Sequence, residues 1–150
     1  LKILSSTEQD YESHINEFKA MYSQDLVISQ NISSHQATKT VETEMARHLP
    51  AGQHTQGHSF HTIFEQQQKV GHLWFCVENN VMYLCHIWLL KEFQGQGKGT
   101  RALDWLKTKG QILGCNSIKL NVFAHNTKGH DFYNKIGFQV SNIHMKLDLM

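Results

Sequence analysis

Apolar side chains recur at helical spacing through the first third of the chain. Tyr11, Ile15, Phe18 and Tyr22 fall three or four apart behind Ser6 and Thr7, which predicts a capped amphipathic helix from Thr7 to about Gln24. Ala37, Val41 and Met45 sit four apart and predict a second helix over Ser34–His48, ended by Pro50-Ala51-Gly52. The pattern then tightens toward alternation. His58–Glu65, Val70–Glu78 and Val81–Phe93 read as strands, with Asn79-Asn80 as a tight turn between the last two, and Leu1–Ser5 as a weak opening strand. Thr100–Gly110 returns to helical spacing with Leu103 and Leu106 inward. Ser117–Ala124 predicts a strand, Thr127–Ile136 a helix capped by Asn126 and closed by Gly137, and Gln139–Leu149 a final strand. With no repeat, linker or low-complexity tract, the expectation is one α/β domain spanning residues 1–150.

Composition narrows the function. The 150 residues suffice for a sizeable core, and a formal net charge of +1 supplies no basic field for nucleic acid. No apolar run approaches the ~20 residues of a membrane span, and no basic-then-apolar leader opens the sequence. Cys76, Cys85 and Cys115 are odd in number, scattered and set among apolar residues. They read as reduced structural thiols of a cytoplasmic protein.

Chemistry concentrates in Gln94-Gly95-Gln96-Gly97-Lys98-Gly99-Thr100, between a strand and a helix. A glycine-rich turn that opens a helix presents unpaired backbone N–H groups and the positive end of the helix dipole, a cradle for a pyrophosphate. A P-loop would need Ser or Thr after Gly97-Lys98, where Gly99 stands, and glycine where Glu92 stands. A dinucleotide fingerprint would need G-x-G-x-x-G near the start of a βαβ unit, whereas these glycines read G-x-G-x-G.

The pattern Gln/Arg-x-x-Gly-x-Gly/Ala, filled by Gln94, Gly97 and Gly99, resembles the acetyl-CoA loop of the GNAT superfamily of N-acetyltransferases. A second block, from Asn126 to Phe138, resembles that family's N-x-x-A-x-x-[FL]-Y-x-K-x-G-F. Asn126, Phe132, Tyr133, Lys135, Gly137 and Phe138 match it, and Gly129 replaces the alanine. The resemblance covers about residues 70–148. It implies a mixed, mostly antiparallel sheet of six or seven strands flanked by about four helices, whose fourth strand splays from the fifth around the cofactor's pantetheine arm. Cofactor contacts would be the backbone of Ile87, Trp88 and Leu89, the amides of Gln94, Gly95, Gln96, Gly97, Lys98, Gly99 and Thr100, and the side chains of Asn126 and Tyr133. Lys98 and Arg101 are equally readable as phosphate contacts or as solvated helix surface.

The resemblance further implies direct acetyl transfer to a primary amine of a small molecule, a peptide N-terminus or a lysine. A backbone N–H near Leu89 would serve the carbonyl oxygen, and Tyr133 would be the acid for the departing thiolate. Its phenol, with a reference pKa of ~10, keeps its proton at neutral pH. His86 is the candidate base, with His72 and Glu78 behind it. Alternation puts His86 on one face with Leu84, Trp88 and Leu90, where a packed histidine is the competing reading. The alternative function is a non-catalytic acyl-CoA-binding module of the same fold. Dimerisation is left open.

His48, His54, His58 and His61 fall within fourteen residues, and His54-x-x-x-His58 has a ligand-like spacing. No cysteine or carboxylate accompanies them in sequence. The expectation is a polar surface segment and no metal. Trp74 and Trp88 are expected to pack in the core.

Overall fold

A computed structural model describes residues 1–149. Among these, the order is β1 (Lys2–Ser5), α1 (Glu8–Gln30), α2 (Ser34–His48), β2 (His58–Glu65), β3 (Gln68–Glu78), β4 (Val81–Leu89), α3 (Lys98–Ile112), β5 (Ser117–Leu120) and α4 (Thr127–Ile136). Single 3-10 turns at Gly52–His54 and Lys91–Phe93 link neighbouring elements. The strands form one sheet in chain order, antiparallel from β1 to β4 and parallel between β4 and β5. The fold class is the α/β one expected, with five strands in place of six or seven.

The missing strand is Gln139–Leu149. Its alternation is real, yet Val140, Ile143, Met145, Leu147 and Leu149 are all strongly exposed and the segment joins no ladder. Alternation makes a strand only where an edge offers hydrogen bonds and a core accepts one face. Here neither meets the segment.

Local chemistry explains the helices. Thr7 Oγ1 accepts the Asp10 N–H at 3.1 Å, and Ser33 with Gln36 forms a reciprocal capping box at the start of α2. The first helix outruns its predicted end because Leu26, four residues beyond Tyr22, continues the apolar stripe and is 2 % exposed. It stops at Asn31, whose φ of 53° is left-handed. Asn79 and Asn80, at φ 52° and 63°, make the tight turn that the sequence predicts.

The sheet separates two cores. On one face α1 and α2 bury Tyr11, Ile15, Leu26, Ala37, Val41 and Met45 against Phe60 and Trp74. On the other, Ala102, Leu103 and Leu106 of α3 cover Ile63, Leu73, Phe75, Met82 and Leu84. Each fully buried large apolar side chain contributes roughly 1.5–3 kcal/mol. At Gly71 the backbones of β3 and β4 approach closely, since a Cβ there would lie 2.2 Å from the Trp88 carbonyl oxygen.

Two strands end earlier than predicted, and this shapes the site. The fourth stops at Leu89, because Lys91–Phe93 turns as a 3-10 helix. The fifth stops at Leu120, because the chain then bends toward α1: the Phe123 and Tyr22 rings lie 6.2 Å apart and His125 Nε2 sits 2.8 Å from Asp25 Oδ1. Pairing between β4 and β5 therefore covers only Val81–Leu84 and Ser117–Leu120.

Candidate active site

Beyond Leu84 the fourth strand runs on to Leu89 with β3 on one side and no strand on the other. The backbone of Cys85–Leu89 consequently has one edge without a strand partner. Ile87, Trp88 and Leu89 lie along this open edge.

The glycine loop follows the end of this open edge. Gln94 donates from Nε2 to the Leu89 carbonyl at 2.9 Å, tying the loop to the end of β4, and Gln96 donates to the Glu92 carbonyl at 2.9 Å. Gly95 and Gly97 hold φ of 73° and 80° with open space where a Cβ would be, so glycine is required for conformation alone. Gly97 is the N-cap of α3 and has no side chain to offer. The first intrahelical bond is Arg101 N–H to the Gly97 carbonyl, which leaves the N–H groups of Lys98, Gly99 and Thr100 without helical partners. The other three helices satisfy this need with Thr7, Ser33 and Asn126. Gly99 has a separate reason: a Cβ would lie 3.1 Å from the Phe132 ring, so α3 and α4 meet there.

The two cations of this region are not free. Glu65 at the end of β2 receives Arg101 at 3.3 Å and Lys98 at 4.0 Å, and Lys98 also donates to Gln96 Oε1 at 3.0 Å. Their spacing on α3 signals a shared partner, but only the sheet reveals that it is Glu65.

Asn126 caps α4, accepting the Gly129 N–H at 3.0 Å. The glycine at 129 fits this cap closely, because a Cβ would lie 2.5 Å from Asn126 Nδ2. Tyr133 packs between Phe132 and Phe138, with ring centroids 5.2 and 5.6 Å away, and burial pushes its phenol above the ordinary tyrosine range. Tyr133 thus holds its proton on the α3/α4 face.

His86 lies on the opposite face, and the predicted company is partly wrong. A bulge between Trp74 and Phe75 shifts the register, so that Phe75 faces Leu84 whereas Trp74 faces His86. Leu84 joins the α3 core, while His86 turns to the α1 side with Trp88. There it contacts Phe18 and His72, at centroid distances of 5.1 and 4.9 Å. His14 stacks on His72 at 4.0 Å, and His72 on Trp88 at 5.4 Å. A cavity of about 10 Å³ lies between His14, Phe18, Phe60, His72, Trp74 and His86. His86 Nε2 and both ring nitrogens of His72 are buried without a protein partner. Burial, followed by the neighbouring imidazoles, pushes His86 down to about 4 and His72 to about 2. Both are neutral at pH 7. Glu78, at the far end of β3 beside the Asn79-Asn80 turn, is remote from this cluster.

Of the four clustered histidines, His58 and His61 belong to β2 rather than to a surface segment. His61 is 8 % exposed, stacks on Phe75 at 5.5 Å, and burial pushes it down to about 4. Trp74 is buried as expected, and Trp88 is half-buried. No helix among the described residues is long and apolar enough to cross a membrane.

Comparison with known proteins agrees with the fold. The chain is 28% identical over 153 residues to YdgE of Bacillus subtilis (strain 168), described as an uncharacterized N-acetyltransferase, covering 95% of this chain and 94% of that one. A crystal structure of YycN from Bacillus subtilis superposes with a TM-score of 0.92 at 21% identity, covering 99% of this chain and 98% of that one. A PaiA N-acetyltransferase from Thermoplasma acidophilum, solved in complex with coenzyme A, superposes with a TM-score of 0.68 at 17% identity over 95% of this chain and 92% of that one. The profile of the acetyltransferase (GNAT) family matches residues 24–138, from within α1 to the end of the α4 block, and the chain belongs to that family.

Proposed function

We propose that the protein transfers an acetyl group from acetyl-CoA directly to a primary amine. One observation carries this reading: the N–H groups of Lys98, Gly99 and Thr100 have no helical partner in the loop that follows the unpaired edge of Cys85–Leu89. A pyrophosphate suits those amides, and an extended amide-bearing arm suits a strand edge without a partner. The coenzyme A complex of the structurally similar PaiA protein supports the same ligand class.

Acetyl-CoA supplies a thioester carbonyl to the amine and leaves as a thiolate. The chain's own groups divide the remaining work. Backbone N–H groups near Leu89 donate to the carbonyl oxygen. Tyr133, kept protonated by burial, supplies a proton toward the sulfur. Glu65 engages both Lys98 and Arg101 and offsets one of their two charges, so the backbone donors carry a large share of phosphate recognition. His86, neutral with a buried Nε2, accepts a hydrogen bond from the incoming amine or a single water. With its affinity for protons lowered to about 4, it is suited to orienting an already neutral amine more than to deprotonating a charged one.

Thiol release from acetyl-CoA against polyamines, amino acids, aminoglycosides and short peptides tests the proposal, with Tyr133→Phe beside the native chain. Turnover with one acceptor class, lowered roughly 10²–10⁴-fold in the variant at unchanged cofactor affinity, is expected. Cofactor binding without turnover on any acceptor would replace it with the reading of an acyl-CoA-binding module. No cofactor binding at all would sink both.

A further inference from the structure

At the end of the sheet remote from the glycine loop, a second group of reactive side chains converges. His58 opens β2 and lies directly opposite Cys76 on β3, whose partner on β4 is Tyr83. Alternation from Tyr83 carries Cys85 to the same face, where it packs at the edge of the α1/α2 core. One ligand atom from each of His58, Cys76 and Cys85 lies within 4.8 Å of the others, and the two sulfurs are 3.9 Å apart. All three residues are partly buried. Absence of cysteine near His54 and His58 in sequence argues against a metal; the sheet register supplies two.

We propose that His58, Cys76 and Cys85 form a binding site for a thiophilic d¹⁰ cation of the zinc(II) class, with a fourth position open to water. Sulfurs each ~2.3 Å from a tetrahedral zinc stand ~3.8 Å apart, close to the spacing that the strands already impose. Two thiolates and a neutral imidazole around a divalent cation leave no net charge, which suits a partly buried place. Binding balances by releasing both thiol protons to solvent. The Cys85 thiol already donates to the Cys76 sulfur, so the two sulfurs face each other before any ion binds.

Binding has a built-in reporter. Trp74 donates its indole N–H to His58 Nδ1 at 3.0 Å. A neutral imidazole has one nitrogen lone pair, and that bond uses it. Coordination through Nδ1 displaces the indole; coordination through Nε2 puts a proton on Nδ1, facing the indole N–H. Either way Trp74 loses its partner. The ion would join β2, β3 and β4 and hold Cys85, the residue beside His86 in the bulge, so it would steady the segment that aims His86.

The test uses the full chain, reduced and stripped by chelation, titrated with cobalt(II) and then zinc(II). Expected are one equivalent per chain, a thiolate-to-cobalt charge-transfer band lost as zinc displaces cobalt, release of two protons, and protection of two of the three thiols from alkylation. Indole emission changes on loading, and Trp74→Phe removes that change. Cys76→Ser and Cys85→Ser each weaken zinc binding by more than the roughly 10–100-fold cost of losing an outer-shell partner, whereas Cys115→Ser leaves it unchanged. Binding without the charge-transfer band, or binding that survives both serine substitutions, overturns the site. If a serine variant fails to fold by circular dichroism, the native chain still decides. Fewer than two protons released, three reactive thiols at stoichiometric zinc, or a disulfide formed without bound metal each refute the proposal.

Discussion

Lowering the pH from 7 to 5 should remove a large part of the folding stability, and three buried histidines account for most of the loss, with His14 and His58 shifted the same way by burial. His61 and His86 are pushed down to about 4 and His72 to about 2, in each case chiefly by burial. In the unfolded chain each takes up a proton near pH 6.5. As the pH falls, the unfolded state therefore binds more protons than the folded one, and stability falls with it. The contribution is intact above about pH 6.5 and drains away toward the folded-state values. At ~1.36 kcal/mol per pH unit for each fully uncompensated proton, each histidine costs about 2 kcal/mol between pH 7 and 5. The three together cost about 5–6 kcal/mol, comparable with the whole stability of a small domain at its lower end. Urea unfolding followed by tryptophan emission at pH 7, 6 and 5 measures this. His72→Phe should reduce the loss between pH 7 and 5 by about 2 kcal/mol, because its ring has no proton to gain and its site has no hydrogen bond to lose. A stability constant to within ~1 kcal/mol over that range would refute the reasoning. So would a His72→Phe variant with the native pH slope.

Other perturbations probe the sheet, the cap and the loop separately. Gly71→Ala would set a Cβ 2.2 Å from the Trp88 carbonyl oxygen, so β3 and β4 must part. A loss of about 3 kcal/mol or more, or insoluble protein, is expected from thermal unfolding and expression. Asn126→Ala removes the acceptor for the Gly129 N–H and should cost about 1 kcal/mol in denaturant unfolding. Glu65→Gln frees Lys98 and Arg101 from their carboxylate, so acetyl-CoA should bind more tightly at low salt, with a steeper salt dependence by calorimetry. Unchanged affinity would show that both side chains lie out of reach of the phosphates.

Much of the architecture follows from nearest neighbours and short periods, and those parts are readable in the sequence. Ser34–His48, His58–Glu65 and Thr127–Ile136 have the predicted bounds, because caps, turns and alternation act within a few residues. The glycines of the loop are legible for the same reason: left-handed φ at Gly95 and Gly97 is a local requirement. Where partners are distant in sequence, the pattern falls silent or misleads. Gln139–Leu149 alternates as a strand should, yet only an available edge and core would make it one, and neither lies within its own residues. The face of His86 depends on a bulge set against β3, and the engagement of Lys98 and Arg101 depends on Glu65, more than thirty residues earlier in the chain. The meeting of His58 with Cys76 and Cys85 likewise arises from register across three strands. Local propensity determines which elements form; long-range pairing decides which side chains share a site, because burial and charge act through space rather than along the chain.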